Sequence, residues 1–140
     1  MNKEQILNLA KEIIDSNEIA IVGSISLKKY PNVRALQKMK NEGFNTFYFS
    51  TRSDSMKVRQ MKKRKKGCVY FYDRPTYSTV MLEGEFKIEP NTTVGVSKLY
   101  ELDPTDPYTF VTIKFITKYI YVYTHYKTVK FEINSNGEII

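Results

Sequence analysis

Tryptophan is absent from this 140-residue chain, and cysteine and histidine occur once each, as Cys68 and His125. One cysteine excludes an intrachain disulfide and any metal site built from several thiolates. Cys68 sits in the apolar run Cys68-Val69-Tyr70-Phe71, which predicts a buried, inert thiol. No apolar stretch approaches the roughly 20 residues that a membrane helix needs. The N-terminal segment carries Glu4 and Glu12 and no compact apolar signal region, so a soluble protein of the reducing cytoplasm is expected, with no membrane partner.

What the sequence has in excess is aromatic and basic. Eleven tyrosines and eight phenylalanines, with many β-branched residues, tilt the chain toward strands. The length is that of one domain spanning 1–140, enough for a single core without covalent staples. The net charge of +7 is unevenly placed: residues 28–66 hold thirteen basic and two acidic side chains, and the remainder sums to −4. A localised positive segment implies a localised anionic partner, either a phosphate group or a nucleic-acid backbone.

Along the chain, Ile6, Leu7, Leu9, Ala10, Ile13 and Ile14 make one apolar stripe, predicting a helix over Asn2–Ser16 capped by Asn2. Strands are expected over Glu18–Ser26 and Pro31–Met39, then a turn over Lys40–Asn45 with Gly43 at positive φ, then a strand over Thr46–Thr51. Asp54–Lys66 reads as a short surface helix capped by Ser53 or Asp54 and ended by Gly67. Strands follow over Gly67–Asp73 and Thr76–Glu89, the second with a bulge or bend at Gly84. A short helix within Pro90–Tyr100 and a loop over Asp103–Pro107 precede three last strands: Tyr108–Phe115, Lys118–Tyr126 and Thr128–Ile133. The fold class is therefore mainly β: a six- to eight-stranded antiparallel barrel with peripheral helices, closed to remove sheet edges.

One segment concentrates chemistry. Arg34 lies in Pro31-Asn32-Val33-Arg34-Ala35-Leu36, and the next strand ends in Phe49-Ser50-Thr51-Arg52-Ser53-Asp54-Ser55-Met56-Lys57, whose last residues open a helix. Hydroxyls of Ser50, Thr51 and Ser55 meet the free N–H groups of a helix start there, an arrangement that favours an anion. Arg34 and Lys57 would add charge-assisted hydrogen bonds to phosphate. The plain alternative is that the serines are caps and Lys57 is solvated.

These residues, in this order and spacing, resemble the FMN-binding signature of the pyridoxamine 5′-phosphate oxidase-like split-barrel superfamily. The nearest likeness is to its small general-stress-protein group of bacterial flavoproteins. The resemblance spans essentially the whole chain, including the Asp106-Pro107-Tyr108 lead-in to the last strands. It implies a split barrel that binds FMN at a homodimer interface. Carried over, Arg34 would bind the phosphate, with Ser55 and Lys57 completing its site. Ala35 and Leu36 would lie along the flavin ring, while Ser50 and Thr51 would approach the ring edge or ribityl chain. Where the oxidases have Arg between Ser and Lys, this chain has Met56, which removes one phosphate ligand. The second basic residue of the family's strand has only the neighbours Lys38 and Lys40.

True pyridoxamine phosphate oxidases carry C-terminal Trp- and Arg-rich motifs and a His. This chain has no Trp, no Arg after Arg74, and a His125 read as a packing or solvent-facing residue inside a Tyr-rich strand. The resemblance therefore implies an FMN-dependent oxidoreductase with a small-molecule electron acceptor, and not a vitamin B6 oxidase. A non-catalytic flavin carrier or stress sensor is the alternative. Nucleic-acid binding through Lys62-Lys63-Arg64-Lys65-Lys66 ranks third, because a basic run at a helix end ordinarily is a solvated face. Tyr119, Tyr121 and Tyr123 alternate with Ile120 and Val122, so a strand with two apolar faces could cover a partner subunit.

Overall fold

The apolar stripe at the N-terminus forms helix α1, Lys3–Ser16, and buries Ile6, Ala10, Ile13 and Ile14 against the sheet. Its start is a reciprocal capping box: Gln5 N–H donates to Asn2 Oδ1 at 2.8 Å, and Asn2 N–H donates to Gln5 Oε1 at 2.9 Å. The structure, a computed structural model, describes residues 1–90 and 110–140. The helix expected within Pro90–Tyr100 and the loop over Asp103–Pro107 lie outside them, apart from Pro90 at a strand end.

Among the described residues eight strands follow α1: β1 (Ile19–Ile25), β2 (Pro31–Gln37), β3 (Lys40–Glu42), β4 (Thr46–Arg52), β5 (Lys66–Asp73), β6 (Ser78–Pro90), β7 (Phe110–Thr124) and β8 (Lys127–Glu132). Helix α2, Met56–Lys63, links β4 to β5. All pairings are antiparallel, in the order β2-β1-β5-β6-β7-β4-β3, with β8 also on β7. The mainly β class with two peripheral helices is as expected. The sheet curls around a phenylalanine cluster, with Phe47 5.7 Å from Phe71 and Phe86 5.1 Å from Phe115 between ring centroids.

Full closure is not what the described strands show. The two ends of the sheet, β2 and β3, are consecutive in the chain and joined by Lys38-Met39. Lys38 N–H donates to Glu18 O and Met39 N–H to Tyr48 O, so the chain crosses from the β1 edge to the β4 edge there. No ladder joins β2 to β4 among the described residues, and the barrel is split along that seam.

Other boundaries differ for physical reasons. The expected turn over Lys40–Asn45 contains β3, whose three residues pair with Thr46–Tyr48; the turn itself tightens to its tip, where Gly43 takes φ +56°. Helix α2 is capped by Ser55 and Arg64, not by Ser53 or Asp54 and Gly67. Gly67 lies inside β5, where a Cβ would collide with the Phe86 ring. The strands expected over Tyr108–Phe115 and Lys118–Tyr126 are one, β7. Its register against β6 steps from Tyr119 opposite Glu83 to Thr117 opposite Gly84, so Lys118 is the extra residue of a bulge. Gly84 permits this, since a Cβ there would strike the Ile116 carbonyl. Ile120 and Val122 are fully buried, while the alternating tyrosines 119, 121 and 123 lie on the outer face.

His125 is not in a strand. It forms with Tyr126 the two-residue turn between β7 and β8, at φ +51° and +63°. Two positive φ values suit a type I′ turn, whose preferred pair is Asn-Gly. The double change His125→Asn, Tyr126→Gly should therefore stabilise the protein by about 1 kcal/mol. Thermal unfolding should show a midpoint higher by roughly 3–5 °C; no rise would mean that the turn carries no strain. No described helix is long and apolar enough to cross a membrane.

Candidate functional site

The seam between β2 and β4 opens into a cavity. Both strands contribute to its lining, and the Met39–Tyr48 hydrogen bond ties the chain between them to β4. Ile19, Ala35, Leu36 and Gln37 form one side, and Ser50, Thr51 and Arg52 the other. The segment that opens α2 adds Asp54, Ser55 and Lys57 to the lining, and Phe110 of β7 adds an aromatic residue. The volume, about 530 Å³, falls within the roughly 300–1,000 Å³ usual for small-molecule sites.

Two hydroxyls inside it are anomalous. Ser50 Oγ and Ser55 Oγ are shielded from solvent and have no hydrogen-bond partner. Ser55 is positionally the N-cap of α2, yet its side chain makes no capping bond. Buried polar groups are normally satisfied, so these two orphaned oxygens, on residues that line the cavity, lie where a small local movement would bring them to a ligand. The same condition holds for Thr112 and Thr117 on β7, neither of which lines the cavity.

The cation beside them is also unsatisfied. Lys57 is half-buried, and no hydrogen bond or ion pair holds its Nζ among the described residues. Burial, and then the nearby Arg34 charge, push the Lys57 ammonium below its ordinary value, with Asp54 opposing. The first turn of α2, from which Lys57 lines the cavity, contains no acidic residue to offset the positive end of the helix dipole. Asp54 is engaged by Arg52 at 3.2 Å along the rim.

Six of the seven residues singled out from sequence, Ala35, Leu36, Ser50, Thr51, Ser55 and Lys57, thus line one cavity. Arg34 does not. Its guanidinium lies behind β2, where Nη1 donates to Val22 O at 3.1 Å and Ser24 Oγ at 2.8 Å, and Nη2 donates to Gln60 Oε1 at 3.2 Å. Gln60, only 1% exposed, also accepts from Ser24 Oγ at 2.6 Å and donates to Asn32 Oδ1 at 2.9 Å. Burial pushes the Arg34 pKa down, without removing its charge. Arg34 is therefore a clamp between β1, β2 and α2 whose charge lies close enough to act on Lys57.

The remaining candidates lie elsewhere. Met56 is 60% exposed and faces the opposite side of α2, toward Leu27 and Lys28. Lys38 Nζ donates to Ile14 O at the end of α1, and Lys40 lies over the Tyr48 ring. Cys68 is half-buried rather than buried, on the outer face of β5, with its thiol pushed up by burial. His125 is exposed at its turn and does not line the cavity. Sequence reasoning missed Ile19, Gln37, Arg52, Asp54 and Phe110 as lining residues. Gln37 and Arg52 each directly follow a residue that was found, so strand continuity was the available signal.

The described strands thus form a split antiparallel barrel with a cleft at its seam. The sequence profile of the Pyridoxamine 5′-phosphate oxidase family matches residues 7–100, and the chain belongs to that family. Among solved structures it is similar to a Clostridium acetobutylicum protein related to general stress protein 26, of the pyridoxinephosphate oxidase family. That likeness has 27% identity and a TM-score of 0.83, and covers 94% of this chain and 97% of the other. General stress protein 26 of Bacillus anthracis is similar at 20% identity and a TM-score of 0.72, over 90% and 98% of the two chains. A pyridoxamine 5′-phosphate oxidase-related, FMN-binding protein of Nostoc punctiforme shares the fold at 11% identity and a TM-score of 0.68, over 98% and 92%. No curated protein matches the chain.

Proposed function

We propose that the chain binds FMN in the seam cavity and works as a flavin-dependent oxidoreductase on a small acceptor. The observation that carries this reading is the pair of shielded, partnerless hydroxyls, Ser50 and Ser55, beside an unpaired Lys57 in one cleft. Lys57, Ser55 and the first N–H groups of α2 would hold the phosphate, with Arg34 adding positive potential from behind. Ser50 and Thr51 would meet the ribityl chain or ring edge, and Ile19, Ala35, Leu36 and Phe110 would wall the ring. Bound FMN would supply reversible two-electron transfer, from a nicotinamide nucleotide to an acceptor such as a nitroaromatic compound.

The reading includes a homodimer, in the cytoplasm, with the flavin at the subunit interface. In its support, Ile21, Tyr70, Met81 and Tyr121 stand in one register row across β1, β5, β6 and β7. Ala35 continues that row on β2 to the cavity wall, so one outer apolar face runs up to the site. The test is titration of the purified protein with FMN, followed by gel filtration. The expected result is quenched flavin fluorescence and flavin absorption that travels with a dimer peak. A protein that ignores FMN at saturating concentration would overturn the proposal.

A further inference from the structure

The basic run Lys62–Lys66 is not alone on the surface. Arg64 Nη1 donates to Ser26 O at 3.0 Å, tying the end of α2 to the β1–β2 turn. Lys28 of that turn lines one recess with Arg59 of α2, and eight cations lie on the turn, on α2 and at the start of β5: Lys28, Lys29, Arg59, Lys62, Lys63, Arg64, Lys65 and Lys66, the last of which also lines an outer-face pocket with Glu83 and Glu85. None of them is in an ion pair among the described residues. All but the half-buried Arg64 are exposed. Two acids border the patch at Lys66: Glu85, opposite it in the β5–β6 register, and Glu83, which lines the same outer-face pocket. Removing these eight charges from the net +7 leaves −1, so the patch accounts for the whole basic character of the chain.

The patch is also shaped. Between the turn and α2 lies a recess of about 260 Å³, lined by Leu27, Lys28, Asn32, Met56, Arg59 and Gln60. Tyr30, 69% exposed, stands at the same turn, its N–H donating to Ser26 Oγ. Cations that track a backbone, an aromatic face beside them and a recess with room for one heterocyclic base are the parts of a single-strand binding surface. A lipid headgroup region would use the charges but neither the recess nor the ring. A duplex would keep its bases stacked away from both.

We infer that this face, formed by the β1–β2 turn and α2, binds single-stranded nucleic acid through Lys28, Lys29, Arg59, Lys62–Lys66 and the Tyr30 ring. It is separate from the flavin site, since none of these residues lines the seam cavity, and it stands or falls independently of FMN binding. The experiment is fluorescence anisotropy of a labelled oligothymidylate of about 12 nucleotides with the full-length chain, from about 50 to 200 mM salt. Logarithmic affinity should fall with logarithmic salt at about −0.7 per phosphate contacted, giving a slope of about −3 or steeper. Lys62→Gln, Lys63→Gln and Lys65→Gln together should flatten that slope by about 2. Tyr30→Ala should weaken binding about 5- to 100-fold with the slope unchanged. No binding at about 50 mM salt overturns the inference. Unchanged affinity in Tyr30→Ala also overturns it, reducing the patch to unspecific charge. Capture by phosphatidylserine vesicles without binding of the oligonucleotide assigns the patch to a lipid surface instead.

Discussion

Lys57→Ala should weaken FMN binding about 10- to 100-fold and leave the thermal midpoint of the ligand-free protein unchanged or slightly raised. The affinity loss follows from removing one charge-assisted hydrogen bond to phosphate. The stability result follows from the ligand-free state, in which Lys57 has no partner among the described residues and its charge is disfavoured by burial and by Arg34. Arg34→Ala should do the reverse. It removes donors to Val22 O, Ser24 Oγ and Gln60 Oε1 around a buried amide. A cost of about 2 kcal/mol and a midpoint lower by roughly 6–10 °C are expected. Its effect on affinity, exerted through the potential alone, should be smaller than that of Lys57→Ala. Calorimetric unfolding and FMN titration of the two variants separate the roles. A Lys57→Ala protein that binds FMN normally would remove Lys57 from the phosphate site.

The same reasoning fixes a pH dependence. Phosphate recognition needs the protonated amine, and its folded pKa lies below the usual 10.5. Affinity should therefore decline as pH rises through the alkaline range, earlier than for a solvated lysine. Ligand-free stability moves the other way. The unfolded chain holds the Lys57 proton more tightly, so stability rises between the folded and unfolded values.

Much of this was legible in the sequence because it is written locally. The α1 stripe, the Gly43 turn and the hydroxyl-rich end of β4 each need only neighbours to be read. Where the structure differs, the cause is a partner distant in sequence. The gap between the strands expected over Tyr108–Phe115 and Lys118–Tyr126 falls at Ile116-Thr117. It is a bulge made possible by Gly84, thirty-odd residues earlier. Arg34 reads as a phosphate ligand because a cation near hydroxyls suits an anion, whereas its guanidinium in the structure is held outside the cavity lining. Gln60, a single amide in a basic helix, gives no sign that it is buried and will accept from that guanidinium. The split of the barrel was likewise invisible to periodicity, since it arises where Lys38-Met39 carries one continuous stretch of chain from one sheet edge to the other.

Ser55→Ala tests the site from its other side, because the two readings of this serine give opposite signs. Were Ser55 an ordinary cap, alanine would cost about 1 kcal/mol of stability and leave FMN affinity alone. In the structure its hydroxyl is shielded and makes no capping bond, on a residue that lines the cavity. Deleting an unsatisfied buried group returns its desolvation penalty, so the ligand-free variant should be as stable as the parent or up to about 1 kcal/mol more stable. FMN affinity should fall about 5- to 10-fold, since the hydroxyl's partner exists only in the complex. Ser50→Ala should behave alike, and the double variant should combine a firmer ligand-free fold with a larger loss of affinity. The site would then be one that accepts two unpaired hydroxyls and a repelled ammonium in its empty state, and recovers all three when phosphate and ribityl oxygens arrive. A destabilised ligand-free Ser55→Ala with normal FMN affinity would return the serine to its capping role and take the strongest support from the flavin reading.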